Sequence, residues 1–438
     1  MGTLSGIADT DRRVIVLALA RMVGAAGNSF LIVVLPLYIA SDLIDISALL
    51  GTEVGVGAAS VTVTEPLLIG VVLSLFGFLN SLSQPITGRL SDRIGVRRPF
   101  VLIGILLLGT ASGLYTVVTV YWQLVVLRAI QGFGAALIIP ATVALVNEYA
   151  SADADRGGNF GVYNTFRLIG FGFGPVLAGA VVEAGPYDLS PIGLPVIDGF
   201  DAAFIAACGG AYLSFALVFL LVRDAAESSE ASDDLSIRVR GEDRLLDPVF
   251  ALGLATVAMG MCIALFATLQ NQVNVRLDQA PVWFGLQFAA VTIANVLLQV
   301  PVGQASDRIG RRPFLLAGFV LLVPTTLLQG IVTDPIVMTL VRLAQGVAVA
   351  CVFAPSLALA GDLAREGESG TTLSVLTMGF GFGVAVGPLA SGWLVAFGFV
   401  VPFAVGAGLA AVALVTVLTQ VDETLDAGED AGDATAAD

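Results

Sequence analysis

The sequence contains no lysine and no histidine. Those two absences remove whole classes of chemistry. Without lysine there is no phosphate-binding P-loop and so no self-powered ATPase, and without imidazole there is no His-based zinc site or Ser-His relay. Cysteine is scarce too: Cys208, Cys262 and Cys351 sit singly in three separate apolar runs, the pattern of small core residues rather than of a disulfide framework. Charge is the fourth shortage. Of 438 residues 13% are charged and 57% hydrophobic, whereas soluble globular chains carry roughly 25% charged residues. The chain reads as a polytopic membrane protein.

All 20 basic residues are therefore arginines, and the net charge is −15. An acid-rich, lysine-free exterior suits strong ionic screening, and points to a salt-loving source, a halophilic archaeon. Apolar runs of spanning length cover about 14–40, 66–87, 99–119, 121–146, 160–183, 202–222, 248–271, 282–303, 313–332, 336–360, 371–397 and 402–419. The first run is too long for a signal-peptide core and should remain as a span. Placing the N-terminus inside puts 15 arginines in inner segments, one (Arg276) outside and four within spans. By the positive-inside rule both termini are then cytoplasmic, in the cell membrane.

This divides the chain into a cytoplasmic N-terminus (1–13), a six-helix half (14–222), a flexible cytoplasmic linker (223–247), a second six-helix half (248–419) and an acidic, disordered tail (420–438). The halves are related by sequence. Gly88-Arg-Leu-Ser-Asp92-Arg93-Ile-Gly95-Val-Arg97-Arg-Pro-Phe returns as Gly303-Gln-Ala-Ser-Asp307-Arg308-Ile-Gly310-Arg311-Arg-Pro-Phe. The offset is 215 at Asp92/Asp307, 214 at Arg128/Arg342 and 213 at Gly174/Gly387. An offset that drifts only by single-residue steps marks a duplicated half.

A polar, arginine-rich Gly-x-x-x-Asp-Arg-x-Gly turn suits the short inner loop of a membrane hairpin: glycine supplies the turn angles and arginine sits among inner-leaflet headgroups. On this repeated loop the sequence resembles the major facilitator superfamily of secondary transporters, from about Arg12 to Leu418. The resemblance implies an all-α membrane protein of twelve transmembrane helices in two pseudo-symmetric six-helix halves. It also implies a gating role for the loop acids. Asp92 would face the start of span eleven near Thr371, and Asp307 the start of span five near Asn159, where a helix N-terminus favours an anion. The plainer reading of both acids is a local turn bonded to its own backbone.

Two further motifs occur in both halves. Arg128-x-x-Gln131-Gly132 in span four is mirrored by Arg342-x-x-Gln345-Gly346 in span ten. A charge there must face protein, water or a ligand, so each arginine either handles substrate or protons or is bonded to nearby helix groups. Gly170-Phe-Gly-Phe-Gly174-Pro175-x-x-x-Gly179 in span five resembles the family's antiporter motif, yet span eleven repeats it as Gly383-x-x-x-Gly387-Pro388-x-x-x-Gly392. Close-packing glycines and a helix-bending proline in both halves point to shared hinge and packing work.

Further candidates for the central cavity are Arg21 and Asn28 in span one, the i, i+4 pairs Asn80/Gln84 and Asn295/Gln299, Asn164 and Arg167 in span five, and Asn271 in span seven. All 35 acids lie in loops, tails or span ends. That leaves Glu148 and Glu183 as coupling candidates. It predicts weak or absent proton coupling at the centre, with sodium coupling or plain exchange as alternatives. The reading is a secondary transporter, not an enzyme, working by alternating access with its site near the midplane. Export of small organic molecules by ion-coupled antiport leads. Uptake or exchange of an anionic metabolite, and a non-transporting sensor or scaffold, are the alternatives. Expected partners are a small-molecule substrate, proton or sodium, and the bilayer. No cofactor, metal or nucleic acid is expected, and the chain should be a monomer.

Overall fold

The structure, a computed structural model, describes residues 12–56, 59–149, 153–193, 195–224, 239–240, 245–363 and 369–424, with backbone alone at 56, 59, 153–158, 160, 192 and 369–374. The N-terminal segment before Arg12, most of the 223–247 linker, the tail beyond Thr424 and the Thr371 side chain lie outside this description.

Among the described residues, twelve helices are long and apolar enough to cross a membrane: Arg12–Ile39, Glu65–Ile94, Arg98–Val117, Tyr121–Glu148, Gly161–Ala184, Gly199–Leu221, Pro248–Leu277, Pro281–Ile309, Arg311–Leu328, Pro335–Leu363, Val375–Phe397 and Val401–Gln420, here spans one to twelve. Their starts follow local chemistry. Thr64, Asp198 and Asp247 each accept a backbone N–H of the first turn, and Pro66 and Pro248 sit where no intrahelical donor is needed.

Three details depart from the sequence reading. The polar loop is mostly helix: span two continues through Asp92 to Ile94, and only Gly95, at φ 73°, turns the chain, with its N–H on the Ser91 carbonyl. Gly310, at φ 120°, does the same after span eight. Both are conformations that glycine adopts without strain. Span seven breaks near its far end, where a 3-10 turn at Ala267–Leu269 precedes a short helix, Gln270–Leu277. Between spans one and two, β1 (Glu53–Val56) and β2 (Ala59–Thr62) form a small antiparallel hairpin.

The chain forms two compact units, residues 1–232 with 267–289, and residues 233–266 with 290–438. In the first, span one packs on spans five and six, span two on span four, and span three on spans four and six. Its core joins Val14, Leu17, Val101, Leu145 and Val218. In the second, span seven packs on eleven and twelve, and span nine on ten and twelve. Leu252, Phe319, Val352 and Val417 lie at its centre. The same pairing scheme is used twice.

Candidate transport site and gating loops

Arg97 is the hub of the loop after span two. Its side chain is 4% exposed, ion-paired with Asp92, and donates through Nε to Glu148 Oε1 at 3.2 Å and through Nη1 to Ser91 Oγ at 3.0 Å. The backbone N–H groups of Arg97 and Arg98, at the open start of span three, donate to Asp224 Oδ1 at 2.6 and 2.8 Å. A carboxylate there satisfies orphan donors and sits at the favourable end of the helix dipole. The second unit rebuilds this arrangement. Arg311 pairs with Asp362, reaches Asp307 at 3.4 Å and donates to the Ala358 carbonyl at 2.8 Å, while Glu423 accepts the Arg312 N–H at 2.8 Å. Gly88 brings span two within van der Waals range of Pro140 on span four. No neighbour stands within 4 Å of a Cβ placed on Gly303. Arg93 and Arg308 are exposed.

Asp92 thus bonds to Arg97 rather than to its own turn, and Glu148 is engaged by the same guanidinium. Glu183 is exposed at the end of span five. Sequence reasoning missed Asp224, Asp362 and Glu423. Their signal was positional: Glu148 and Asp362 share the 214-residue offset, and Asp224 and Glu423 each follow a Val-x pair closing spans six and twelve.

The span-four and span-ten arginines are enclosed by their own units. Arg128 is 2% exposed, lies 4.5 Å from the Phe76 ring centroid and donates to Gln131 Oε1 at 3.1 Å. Gln131 also accepts from Tyr115 and donates to Ser112. Arg342, fully buried, lies 4.4 Å from the Phe266 centroid and donates to Gln345 at 2.6 Å and Gln329 at 3.3 Å. Gln345 in turn reaches the Cys262 carbonyl and Thr326. Ring faces and amide oxygens stabilise these cations. The motif's glycines have a separate cause. A Cβ on Gly132 would stand 2.8 Å from the Phe76 carbonyl oxygen, and one on Gly346 2.4 Å from that of Val291.

The span-five glycines face span one: a Cβ on Gly170 would lie 2.0 Å from the Met22 oxygen, and one on Gly174 2.5 Å from that of Ala26. Gly383 and Gly387 meet span seven in the same way, at 2.1 Å from Val257 O and 2.7 Å from Ala264 Cβ. Gly179 stands against Val282, Pro175 and Pro388 lie inside their helices, and Gly392 is buried.

Other predicted cavity residues separate into four groups. Gln84 donates to Asn80 on its own helix at 3.1 Å, and Arg167 to Asn164 at 3.0 Å. Asn271, in the short helix after the span-seven break, donates to Glu65 at 2.9 Å. Arg21, Asn28 and Gln131 line a cavity of about 40 Å³ among spans one, three, four and six of the first unit. Asn295 Oδ1 is buried with no partner among the described residues, and Gln299 is half-buried on the same helix.

The sequence profile of the Major Facilitator Superfamily matches residues 17–272 and 248–436. The chain belongs to this family. Within the superfamily it is similar to an uncharacterised transporter of Methanocaldococcus jannaschii, 24% identical over 331 residues, 74% of this chain and 81% of that one. It is also similar to the class D tetracycline resistance protein of Salmonella ordonez, 26% identical over 271 residues, 60% of this chain and 64% of that one. Among solved structures, a bacterial homologue of the human lysosomal transporter Spinster, inward-facing and occupied, aligns with a TM-score of 0.68 at 14% identity, covering 93% of this chain and 94% of that one. The superfamily member described here is thus a multi-pass membrane protein with the twelve-helix fold of these secondary transporters, and it is not an enzyme.

Proposed function

We propose that this transporter exports small organic molecules by ion-coupled antiport, its two halves (14–222 and 248–419) giving access to each side in turn. The observation that carries the reading is the span-five motif, whose glycines seat span five on the span-one backbone. Similarity to a tetracycline resistance protein supports the same direction. The arginine bias favours cytoplasmic termini in the cell membrane, and an acidic, lysine-free exterior suits a halophilic source. Asp92 and Asp307 act as gate acids, each poised on its arginine hub. Asp92→Asn should abolish transport with normal insertion and shift the inside/outside ratio of cysteine labelling. An unchanged ratio sinks the gate role.

Proton coupling is weak in this reading. No acid lies in mid-span, and Glu148 is already held by Arg97. Sodium coupling or plain exchange remains, with the protein acting as a monomer. A second reading, an anionic cargo, is favoured by the four in-span arginines. Arg128 and Arg342 are bonded within their own units, so it rests on Arg21 and Arg167.

A further inference from the structure

Arg21 and Asn28 are seven residues apart on span one, two helical turns, and so share a face. Leu17, Gly24 and Leu31 on that face line the same cavity. Arg21 Nε and Asn28 Oδ1 are both shut off from solvent without a hydrogen-bond partner among the described residues. Arg167, on span five, is a second in-span cation of the same unit, and its Nε donates to the neutral amide oxygen of Asn164 at 3.0 Å. No acid lies in mid-span to offset the pair, and Glu148, at the end of span four, is bonded to Arg97. A half-buried arginine with a buried, orphaned donor and no carboxylate in mid-span calls for a counter-ion.

Cavity size restricts what that ion can be. About 40 Å³ accommodates on the order of three water-sized spheres, too little for an organic cargo. Its other polar walls are largely occupied: Thr142 shares a hydrogen bond with Tyr163, and Ser214 donates to the Ala20 carbonyl. The open donor belongs to Arg21, whereas the open acceptor, Asn28 Oδ1, needs a water proton. We propose that this cavity holds a small inorganic anion of the halide class on Arg21, with water linking it to Asn28, as the resident counter-ion of Arg21. The anion belongs to the first half, does not depend on the export reading, and competes with the reading in which Arg21 holds an anionic cargo.

The test uses the purified full chain in detergent without substrate, so its outcome is independent of the export reading. Sodium bromide and sodium gluconate are compared at equal ionic strength. A ligand of the native state raises the unfolding midpoint, so bromide should give a saturable rise on the order of a few degrees, and gluconate none. Crystals grown in bromide should show an anomalous peak beside Arg21. Arg21→Gln should lose both the rise and the peak. Equal midpoints in the two salts, or a bromide response unchanged in Arg21→Gln, would overturn the proposal. Should Arg21→Gln fail to fold, the wild-type crystal decides, and the absence of bromide at Arg21 overturns it.

Discussion

Arg97, at the start of span three, joins it to two other spans through one guanidinium: to Ser91 and Asp92 at the end of span two and to Glu148 at the end of span four. Replacing it with Gln leaves two carboxylates facing each other, one of them 10% exposed. Removing one member of a buried ion cluster costs about 3–5 kcal/mol. Arg97→Gln should therefore lower the unfolding midpoint in detergent well beyond the change seen for the exposed Arg93→Gln, and adding Asp92→Asn should restore part of the loss. The loop residues were legible from their repetition, but the partners were not. Glu148 lies 51 residues from Arg97, and nothing local to either marks the pairing. Loop acids offer a separate check on pH. Asp45 and Asp188 accept from the hydroxyl and N–H of the serine two residues on, which holds both carboxyls below their usual range. A depressed folded-state pKa contributes stability above the unfolded value, lost as pH falls through the folded one. Protection of the Ser47 and Ser190 amides from exchange should thus persist through neutral and mildly acid pH and vanish only below about pH 3.9.

At the scale of the helix, contact distance explains composition. A methyl group on Gly170 meets a carbonyl oxygen at 2.0 Å, and neither backbone can yield without separating spans one and five. Gly161, on the same span, has nothing within 4 Å. Gly170→Ala should cut the yield of folded protein severely, whereas Gly161→Ala should leave it unchanged, as read by size-exclusion profile and thermal midpoint. The motif was readable as packing because glycine repeats at i, i+4, and its two copies do pack against equivalent spans. Helix ends were less legible. The polar residues Gly88 to Arg93 mimic a turn in hydropathy, yet their backbone donors and acceptors are met by continuing the helix until Gly95. The break in span seven has no proline or glycine to announce it.

For the whole molecule, the duplication seen in the 213–215-residue offsets reappears as one packing scheme used twice, spans 1·5, 1·6, 3·4 and 3·6 matching 7·11, 7·12, 9·10 and 9·12. That much was legible because membrane spans are long and uninterrupted. Substrate identity was not, since the buried arginines that drew attention prove to be bonded within their units. The cytoplasmic placement of both termini proposed from the arginine bias has a direct check. With Cys208, Cys262 and Cys351 replaced, the Asp188→Cys protein should react with an impermeant thiol reagent in intact cells, and the Arg93→Cys protein only after lysis.

The central claim is gradient-driven export of small organic molecules, and transport by the purified protein in sealed vesicles addresses it most directly. Lipophilic cations and organic anions would be compared under imposed sodium and pH gradients. Substrate accumulation should require a gradient, favour sodium or exchange over protons, and be lost in Asp92→Asn. Accumulation no faster than in protein-free vesicles under every gradient would contradict export. Stoichiometric proton movement that survives Glu148→Gln together with Glu183→Gln would contradict the coupling.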